Sequence, residues 1–290
     1  MQKPYDKVTH CKKPDWLKIK LPCDNKHTVV GSSIEKRRLH TICESGKCPN
    51  KSDCWSRHTA TIMIMGDVCT RGCRFCATKT GTPLPLSAEE PIEVARSVRD
   101  MGLRHCVITS VTRDDLKDQG AAHWCRVVEA VRELNPQSTI ELLIADMDAR
   151  QELISQIANT KPDIIGHNIE TVERLTPIVR SRADYKTSLK TIQLIAQSGI
   201  KAKSGIMLGL GETHQEIFKT LDDLLEAGCS IVTMGQYLQP TSLHYPVAEY
   251  IHPDKFEEYR LWALERGFDY VASAPLVRSS YMAEEALKKL

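Results

Sequence analysis

Short apolar runs alternate with amphipathic stretches along most of the chain. The apolar runs have the length of buried strands, and they cover residues 61–65, 105–110, 139–144, 163–168, 201–208, 230–236 and 269–274. The stretches between them carry apolar residues at helical spacing, at 89–101, 121–134, 187–198, 213–227 and 253–267. Strands and helices therefore follow one another at about the repeat length of a βα unit, which predicts a parallel sheet with helices outside it.

The number of these units predicts the fold class. Six βα units and a seventh strand can be counted from residue 61 to residue 274, whereas a closed barrel of this kind needs eight units. We therefore expect an α/β protein with an incomplete (β/α)6 TIM-like barrel and with N- and C-terminal extensions. The alternative is a doubly wound open sheet. In both architectures the loops that leave the carboxyl ends of the strands form the site.

The sequence divides into three predicted parts. Residues 1–57 are rich in Lys, Pro and Cys and show little periodicity, so we expect an N-terminal extension there. Residues 58–275 hold the predicted barrel, and residues 276–290 form a C-terminal segment. The sequence has neither a signal-peptide core nor a run of about 18 apolar residues, which favours a cytoplasmic protein that makes no membrane contact.

Charge and cysteine content narrow the functional classes. The formal net charge is only +2, which argues against a strongly basic nucleic-acid-binding protein. The chain carries 11 cysteines, and in a chain of this length without a signal segment they indicate metal or redox chemistry rather than a disulfide scaffold. The spacing of the cysteines therefore decides what kind of site is expected.

One group of cysteines follows the first predicted barrel strand directly. The loop GDVCTRGCRFC holds Cys69, Cys73 and Cys76 at the spacing Cys-x3-Cys-x2-Cys. Three thiolates on a [4Fe-4S] cluster leave one iron open to an outside ligand, as a site that activates a small molecule requires. The alternative is a structural zinc site, but zinc takes four ligands and no obvious fourth partner stands beside this loop.

A second group lies upstream, in CESGKCPNKSDCW. It consists of Cys43, Cys48 and Cys54 at the spacing Cys-x4-Cys-x5-Cys. On chemistry alone this triplet could hold a structural zinc ion or an iron–sulfur cluster that braces the extension.

The first triplet resembles the radical S-adenosylmethionine superfamily in its spacing, in Phe75 before the last cysteine and in its place after strand one. That resemblance implies that the open iron binds S-adenosylmethionine, which is cleaved to methionine and a 5′-deoxyadenosyl radical. A longer series of segments is similar to the lipoyl synthase family in content and order, from about residue 14 to 282: CESGKCPNKSDCW, MGDVCTRGCRFC, HNIETV, LTPIVRSRADYKTSL, MLGLGET, QYLQPT and APLVRSSY.

The resemblance to this family assigns the second triplet. It implies that both triplets bind [4Fe-4S] clusters and that the upstream one is an auxiliary cluster whose sulfides are given to the substrate. Its fourth ligand would be Ser279, the first serine of VRSSY. An oxygen donor is harder than a thiolate, so its bond to iron should be the more labile one. The alternative for residues 278–280 is a solvated C-terminal loop.

Two glycines match a superfamily pattern at the fifth predicted strand. Gly205 and Gly209 fit G-x-I-x-G-x-x-E, and the resemblance implies that backbone here approaches the adenine of the cofactor. The alternative needs no ligand, because Gly209 can make a turn while Thr213 and Glu216 form a capping box for the next helix.

Polar residues after the fourth predicted strand are further candidates for cofactor contacts. Asn168 and Glu170 would face the ribose and the methionine amine, and Arg182 would pair with the carboxylate. The alternative for all three is surface salt bridging. The loop 109–115 stands where many relatives in the superfamily carry a glycine-glycine-glutamate motif, which leaves the ligand of the amine open.

The resemblance also implies a reaction and its partners. The substrate would be an octanoyl chain on a lysine of a lipoyl carrier domain, and the enzyme, a sulfurtransferase of lipoate biosynthesis and protein lipoylation, would insert two sulfur atoms. Expected partners are acyltransferase subunits of 2-oxoacid dehydrogenases, the glycine cleavage carrier protein, a low-potential donor such as ferredoxin or flavodoxin, and iron–sulfur carrier proteins. The alternatives are an enzyme that methylthiolates RNA or protein and a non-catalytic iron–sulfur or zinc module.

Overall fold

The computed structural model describes residues 13–18, 27–56, 59–281 and 283–289. The strands are β1 (His40–Thr41), β2 (Thr61–Ile64), β3 (Val68–Cys69), β4 (Lys79–Thr80), β5 (His105–Ser110), β6 (Thr139–Leu143), β7 (Ile164–Gly166), β8 (Lys201–Leu208), β9 (Ile231–Gln236) and β10 (Tyr270–Ser273). The helices are α1 (His27–Lys36), α2 (Ile42–Ser45), α3 (Lys51–Ser56), α4 (Glu90–Asp100), α5 (Ala121–Leu134), α6 (Gln151–Ala158), α7 (Thr176–Val179), α8 (Tyr185–Gln197), α9 (His214–Glu226), α10 (Pro253–Arg266) and α11 (Glu284–Lys289). Two short 3-10 helices lie at Asp15–Leu17 and Met147–Ala149.

The main sheet has eight strands in the order β1-β2-β5-β6-β7-β8-β9-β10. The seven strands from β2 to β10 in this sheet are parallel, and β1 joins the edge of β2 in the antiparallel direction. Because each parallel strand lies beside its predecessor in the chain, the sheet is wound in one direction as in a barrel wall. A doubly wound sheet would reverse its strand order. The predicted incomplete barrel is therefore confirmed, with β10 as the seventh strand.

The strands and most helices lie where the apolar pattern predicts them. Strand β2 is buried at every position, as expected for a strand covered on both faces. Helix α9 begins with the capping box of Thr213 and Glu216 that the sequence allowed. Helix α6 was not predicted, because its buried face spans only eight residues and gives too few turns for a clear helical period. None of the helices in the described ranges combines the length and the apolar character needed to cross a membrane.

The N-terminal extension contains regular structure that its weak periodicity did not indicate. Helices α1, α2 and α3 and strand β1 all lie in it. The buried indole of Trp55 in α3 packs within 3.3 Å of the place that a Cβ on Gly31 of α1 would take. The predicted part boundaries after residues 57 and 275 stay predictions, and residues 57–58 lie outside the described residues.

The C-terminal segment lies along the inside of the barrel. Its Val277 contacts Gly235 of β9, Ser279 contacts Asn168 after β7, and Ser280 contacts Thr61 of β2. Strands β2, β7 and β9 are not neighbours in the sheet. A segment that contacts all three must therefore cross the interior of the barrel. Helix α11 then packs through Ala286 against Ile164 and Ile231, the first residues of β7 and β9. The C-terminus therefore reaches from the carboxyl ends of the strands to their amino ends.

Candidate functional site

A cavity of about 380 Å³ opens inside the barrel at the carboxyl ends of the strands. Residues of both cysteine triplets line it: Cys43, Cys48, Cys69, Cys73 and Cys76. Cys54, the third member of the upstream triplet, lies in α3 and is partly buried beside the core. The nine cysteines in the described part of the chain form no disulfide. Two groups of thiols thus face one space.

The loop of the first triplet begins at β3, which pairs with β4 in a short parallel ladder. The Cys69 carbonyl accepts a hydrogen bond from the backbone N–H of Gly81 at 3.1 Å. The Cys69 sulfur accepts from the N–H groups of Arg71 and Thr112, each at 3.4 Å. These two backbone donors fix the position of the first cysteine of the loop and point its sulfur into the cavity.

The three thiols of the first triplet act on one another electrostatically. Burial raises the pKa of Cys76, hydrogen bonds from Thr78 oppose the rise, and the nearby charges of Cys73 and Cys69 add to it. Cysteine binds a metal as the thiolate, so a bound cation would stabilise the charged form of Cys76 against this rise. In the described residues, no three His, Cys, Asp or Glu side chains converge on one point as around a single metal ion. A four-iron cube offers a separate iron to each thiolate, so its ligands need not converge.

A buried arginine anchors this loop to the barrel. The guanidinium of Arg71 donates to both oxygens of Asp114, each at 2.8 Å, and to both oxygens of Asp146, at 2.6 and 2.9 Å. Burial alone would raise the pKa of Asp146, but the bonds from Arg71 outweigh it and bring that pKa to about 2. Asp114 lies in the loop 109–115, so in this chain that loop supports the cysteine loop. Sequence patterns do not indicate these contacts, because the partners are far apart along the chain.

The second triplet is built on two short helices. Cys43 is buried in α2, whose first turn is capped by the Thr41 side chain. The backbone N–H of Cys48 donates to the Cys43 carbonyl at 3.0 Å, which folds the chain back on itself. Burial raises the pKa of the Cys43 thiol, and the charge of Cys48 raises it further. Cys43 and Cys48 therefore form a second group of neighbouring thiols, in which a bound cation would stabilise the charged form of Cys43.

The C-terminal segment brings Ser279 into the same cavity as this triplet. Asn50, which lies between Cys48 and Cys54, donates from Nδ2 to the Leu276 carbonyl at 2.6 Å. Ser279 itself donates from Oγ to Asn168 Oδ1 at 3.1 Å. The segment thus lines the cavity and does not lie in solvent.

Three of the residues expected near the cofactor line the cavity: Asn168, Glu170 and Gly205. A Cβ on Gly205 would lie 2.8 Å from Asn168 Oδ1, so the glycine leaves room for that amide. Burial raises the pKa of Glu170, while the charge of Arg180 lowers it. Its backbone pairs with Ile206, which holds both polar side chains beside β8.

The other two expected residues lie elsewhere. The Arg182 side chain is 55% exposed and pairs with Asp114 at 3.6 Å and with Asp148 at 3.4 Å. Gly209 has a φ of +96°, and a Cβ there would lie 2.3 Å from the Glu249 carbonyl oxygen. This glycine serves the packing of its own loop, so its cofactor role stays a prediction, as does that of Arg182.

Comparison with known proteins agrees with this geometry. The model of the Radical SAM superfamily matches residues 63–224. A lipoyl synthase of Phocaeicola vulgatus is 56% identical over 281 residues, which cover 97% of this chain and 99% of that protein. A lipoyl synthase of Porphyromonas gingivalis is 56% identical over 279 residues, with 96% and 99% covered. The crystal structure of methylornithine synthase (PylB) aligns with a TM-score of 0.56 at 14% identity, over 88% of this chain and 79% of that one, and so shares the fold.

Identity at this level extends over nearly the full length of both chains, and the matched superfamily region contains the Cys69, Cys73 and Cys76 loop. The chain therefore belongs to the lipoyl synthase family of the radical S-adenosylmethionine superfamily.

Proposed function

We propose that the cavity walled by both cysteine triplets is where this enzyme inserts two sulfur atoms into an octanoyl chain. The chain would be attached to a lysine of a lipoyl carrier domain. One observation carries the proposal: Cys43 and Cys48 line the same cavity as Cys69, Cys73 and Cys76. A radical and a sulfur donor must both reach one carbon, so two cofactor sites on one space fit this chemistry.

Members of this family use S-adenosylmethionine and two [4Fe-4S] clusters. When bound, the first cluster and S-adenosylmethionine supply a hydrogen-abstracting radical, and the second cluster supplies sulfur. We assign Cys69, Cys73 and Cys76 to the first cluster. The described geometry supports this, because backbone N–H groups already face the Cys69 sulfur.

We assign Cys43, Cys48, Cys54 and Ser279 to the auxiliary cluster. The support is that Asn50 ties the C-terminal segment to the triplet and that Ser279 lines the cavity beside Cys48. A serine oxygen is a weaker partner for iron than a thiolate, which suits a cluster that must release its atoms. Ser279 is thus the proposed catalytic residue on the protein side.

Residues of the cavity wall are the proposed contacts of S-adenosylmethionine. We propose that Asn168 and Glu170 face the ribose and the amine of S-adenosylmethionine, and that Gly205 lets the cofactor approach β8. We propose that Arg182 pairs with the carboxylate of S-adenosylmethionine. That carboxylate would compete with Asp114 and Asp148 for the Arg182 guanidinium.

The rest of the wall suits an aliphatic chain. Met63, Leu143, Met207 and Tyr237 line the cavity, and apolar walls with a few polar groups are typical of sites that take such ligands. Burying the octanoyl chain against them would also keep water from the reacting carbons.

The partners follow from this substrate. We propose that the enzyme acts on acyltransferase subunits of 2-oxoacid dehydrogenases and on the glycine cleavage carrier protein. A low-potential donor such as ferredoxin or flavodoxin would supply electrons, and iron–sulfur carrier proteins would rebuild the auxiliary cluster. A cytoplasmic location is part of the proposal, because the six cluster cysteines are free thiols, which suit a reducing compartment.

The test is mass spectrometry of an octanoylated carrier peptide after anaerobic reaction with the reconstituted enzyme. The expected product carries two additional sulfur atoms. Cys125→Ala is a matched control, since Cys125 lies on α5 outside both triplets and its thiol donates to the Gln156 carbonyl at 3.5 Å. This control should make the same product, while Cys43→Ala should make none. A methylthiolated product, or no mass gain with intact clusters, would contradict the proposal.

A further inference from the structure

Arg278 is a cation in the cavity wall, next to Ser279 in the chain. Its Nη1 donates to the carbonyl of Val277 at 2.6 Å and to that of Pro275 at 3.4 Å. Across the described ranges, the guanidinium forms no salt bridge with a carboxylate. Carbonyl oxygens orient this side chain, and they leave its positive charge without an anionic partner.

Arg278 lies beside the segment that carries the auxiliary triplet. Its side chain lines the same cavity as Cys43 and Cys48. Asn50, which lies between Cys48 and Cys54, holds the Leu276 carbonyl two residues before Arg278 at 2.6 Å. The cavity and this hydrogen bond therefore bring Arg278 to the side of the upstream cysteines.

The C-terminal segment before Arg278 is held in place by several contacts with the barrel. A Cβ on Gly235 of β9 would lie 2.0 Å from the Val277 carbonyl oxygen and 3.2 Å from Arg278 Nη1. The N–H of Gln236 donates to the Pro275 carbonyl at 3.1 Å, and Asn50 holds the Leu276 carbonyl at 2.6 Å. Three consecutive residues before Arg278 are thus fixed by the barrel and by the triplet segment.

Arg278 is partly buried, and a partly buried cation without a counter-ion is unfavourable, so an anion placed beside it is stabilising. A four-iron cluster held by three thiolates and a serine oxygen is such an anion. We propose that Arg278 is the charge-compensating residue of the auxiliary cluster and holds its reduction potential up, an inference that rests on the proposed function. Net charge and hydrogen bonds to the sulfurs are the levers by which a protein sets that potential.

The test isolates the auxiliary cluster in the full-length chain. In a background in which Cys69, Cys73 and Cys76 are all changed to Ala, the parent, Arg278→Lys and Arg278→Gln are reconstituted anaerobically. Iron and sulfide are counted, and the reduction potential is measured by a redox titration followed by electron paramagnetic resonance. Arg278→Gln should lower the potential, because the cation is lost. Arg278→Lys should stay near the parental value, because the charge is kept.

Arg266→Gln is the matched control. It removes the same charge from an exposed arginine of α10 that pairs with Asp222, and it should leave the potential unchanged.

If Arg278→Gln assembles no cluster while Arg278→Lys assembles one at the parental potential, the charge is again what matters, and the proposal stands. An unchanged potential in Arg278→Gln overturns it, as does loss of the cluster in both variants at parental stability. A background protein that binds no iron contradicts the proposed auxiliary site itself, and the inference falls with it.

Discussion

The Arg71 guanidinium and the Asp146 carboxylate are joined by two hydrogen bonds of 2.6 and 2.9 Å, and both side chains are at least 95% shielded from solvent. The pair connects the loop of the first cysteine triplet to the chain that follows β6. This contact and the one between Arg71 and Asp114 tie the position of the cysteine loop to the stability of the barrel.

Asp146→Asn should destabilise the protein. The substitution leaves the buried Arg71 charge with one carboxylate fewer, and breaking such a pair costs about 3 kcal/mol. The measurement is the free energy of unfolding from denaturant titration under anaerobic conditions. Asp222→Asn is the control, since its pair with Arg266 is exposed and should contribute less than about 1 kcal/mol. An equal decrease in the free energy of unfolding for the two variants would show that the buried Arg71–Asp146 pair stabilises the protein no more than an exposed pair does.

The same contact predicts an acid dependence. The pKa of Asp146 is about 2 in the folded chain against an ordinary 3.8. A carboxylate whose folded pKa is depressed adds stability above its unfolded pKa and loses it as the pH falls through the folded one. The stability difference between the parent and Asp146→Asn should therefore be full above pH 4 and shrink by about 2 kcal/mol toward pH 2. A difference that stays constant over this range would contradict the assigned cause.

The apolar pattern predicts the barrel well because most residues of its central strands are buried. Strands β5 and β8 have the bounds that their apolar runs give. The pattern fails for the extension, where α2 and α3 are too short to show a period. The spacing of the cysteines is enough to identify the two triplets as candidate metal ligands. The sequence pattern does not single out Arg71 or Arg278, since their partners come near only when the barrel and the C-terminal segment fold.

Cys69→Ala should abolish formation of 5′-deoxyadenosine, because a cluster that binds S-adenosylmethionine cannot assemble properly on the two remaining thiolates. The upstream cluster should persist, so the iron content should fall from about eight to about four per chain. Liquid chromatography of the nucleoside product and an iron assay check both points. Cleavage at the parental rate would show that Cys69 is not a ligand.

Gly235→Ala should weaken the auxiliary site without touching the first triplet. The new methyl group would lie 2.0 Å from the Val277 carbonyl oxygen, so the C-terminal segment must move. Iron bound at the upstream triplet should fall, while 5′-deoxyadenosine is still formed. Gly166→Ala is the control on β7, because its Cβ would meet nothing closer than 3.5 Å. If both variants keep parental iron, the seating of the segment does not matter for the cluster.

Ser279 offers the sharpest test of the auxiliary ligand set. If its oxygen holds the iron that must be released, Ser279→Cys should keep a cluster but bind that iron more firmly, since thiolate suits iron–sulfur sites better than oxygen does. Sulfur transfer should slow while cleavage of S-adenosylmethionine continues.

Ser279→Ala should leave that iron to solvent, and it also removes the hydrogen bond of 3.1 Å to Asn168. Ser280→Ala is the matched control, because Ser280 lies one residue further and contacts Thr61 instead. For each variant the amount of 5′-deoxyadenosine is compared with the amount of thiolated peptide. A selective loss of thiolated product in both Ser279 variants, with the Ser280 variant unchanged, is the expected result. Parental ratios in all three would mean that Ser279 only helps to seat the C-terminal segment, because a ligand cannot be replaced by a methyl group without effect on the cluster it holds.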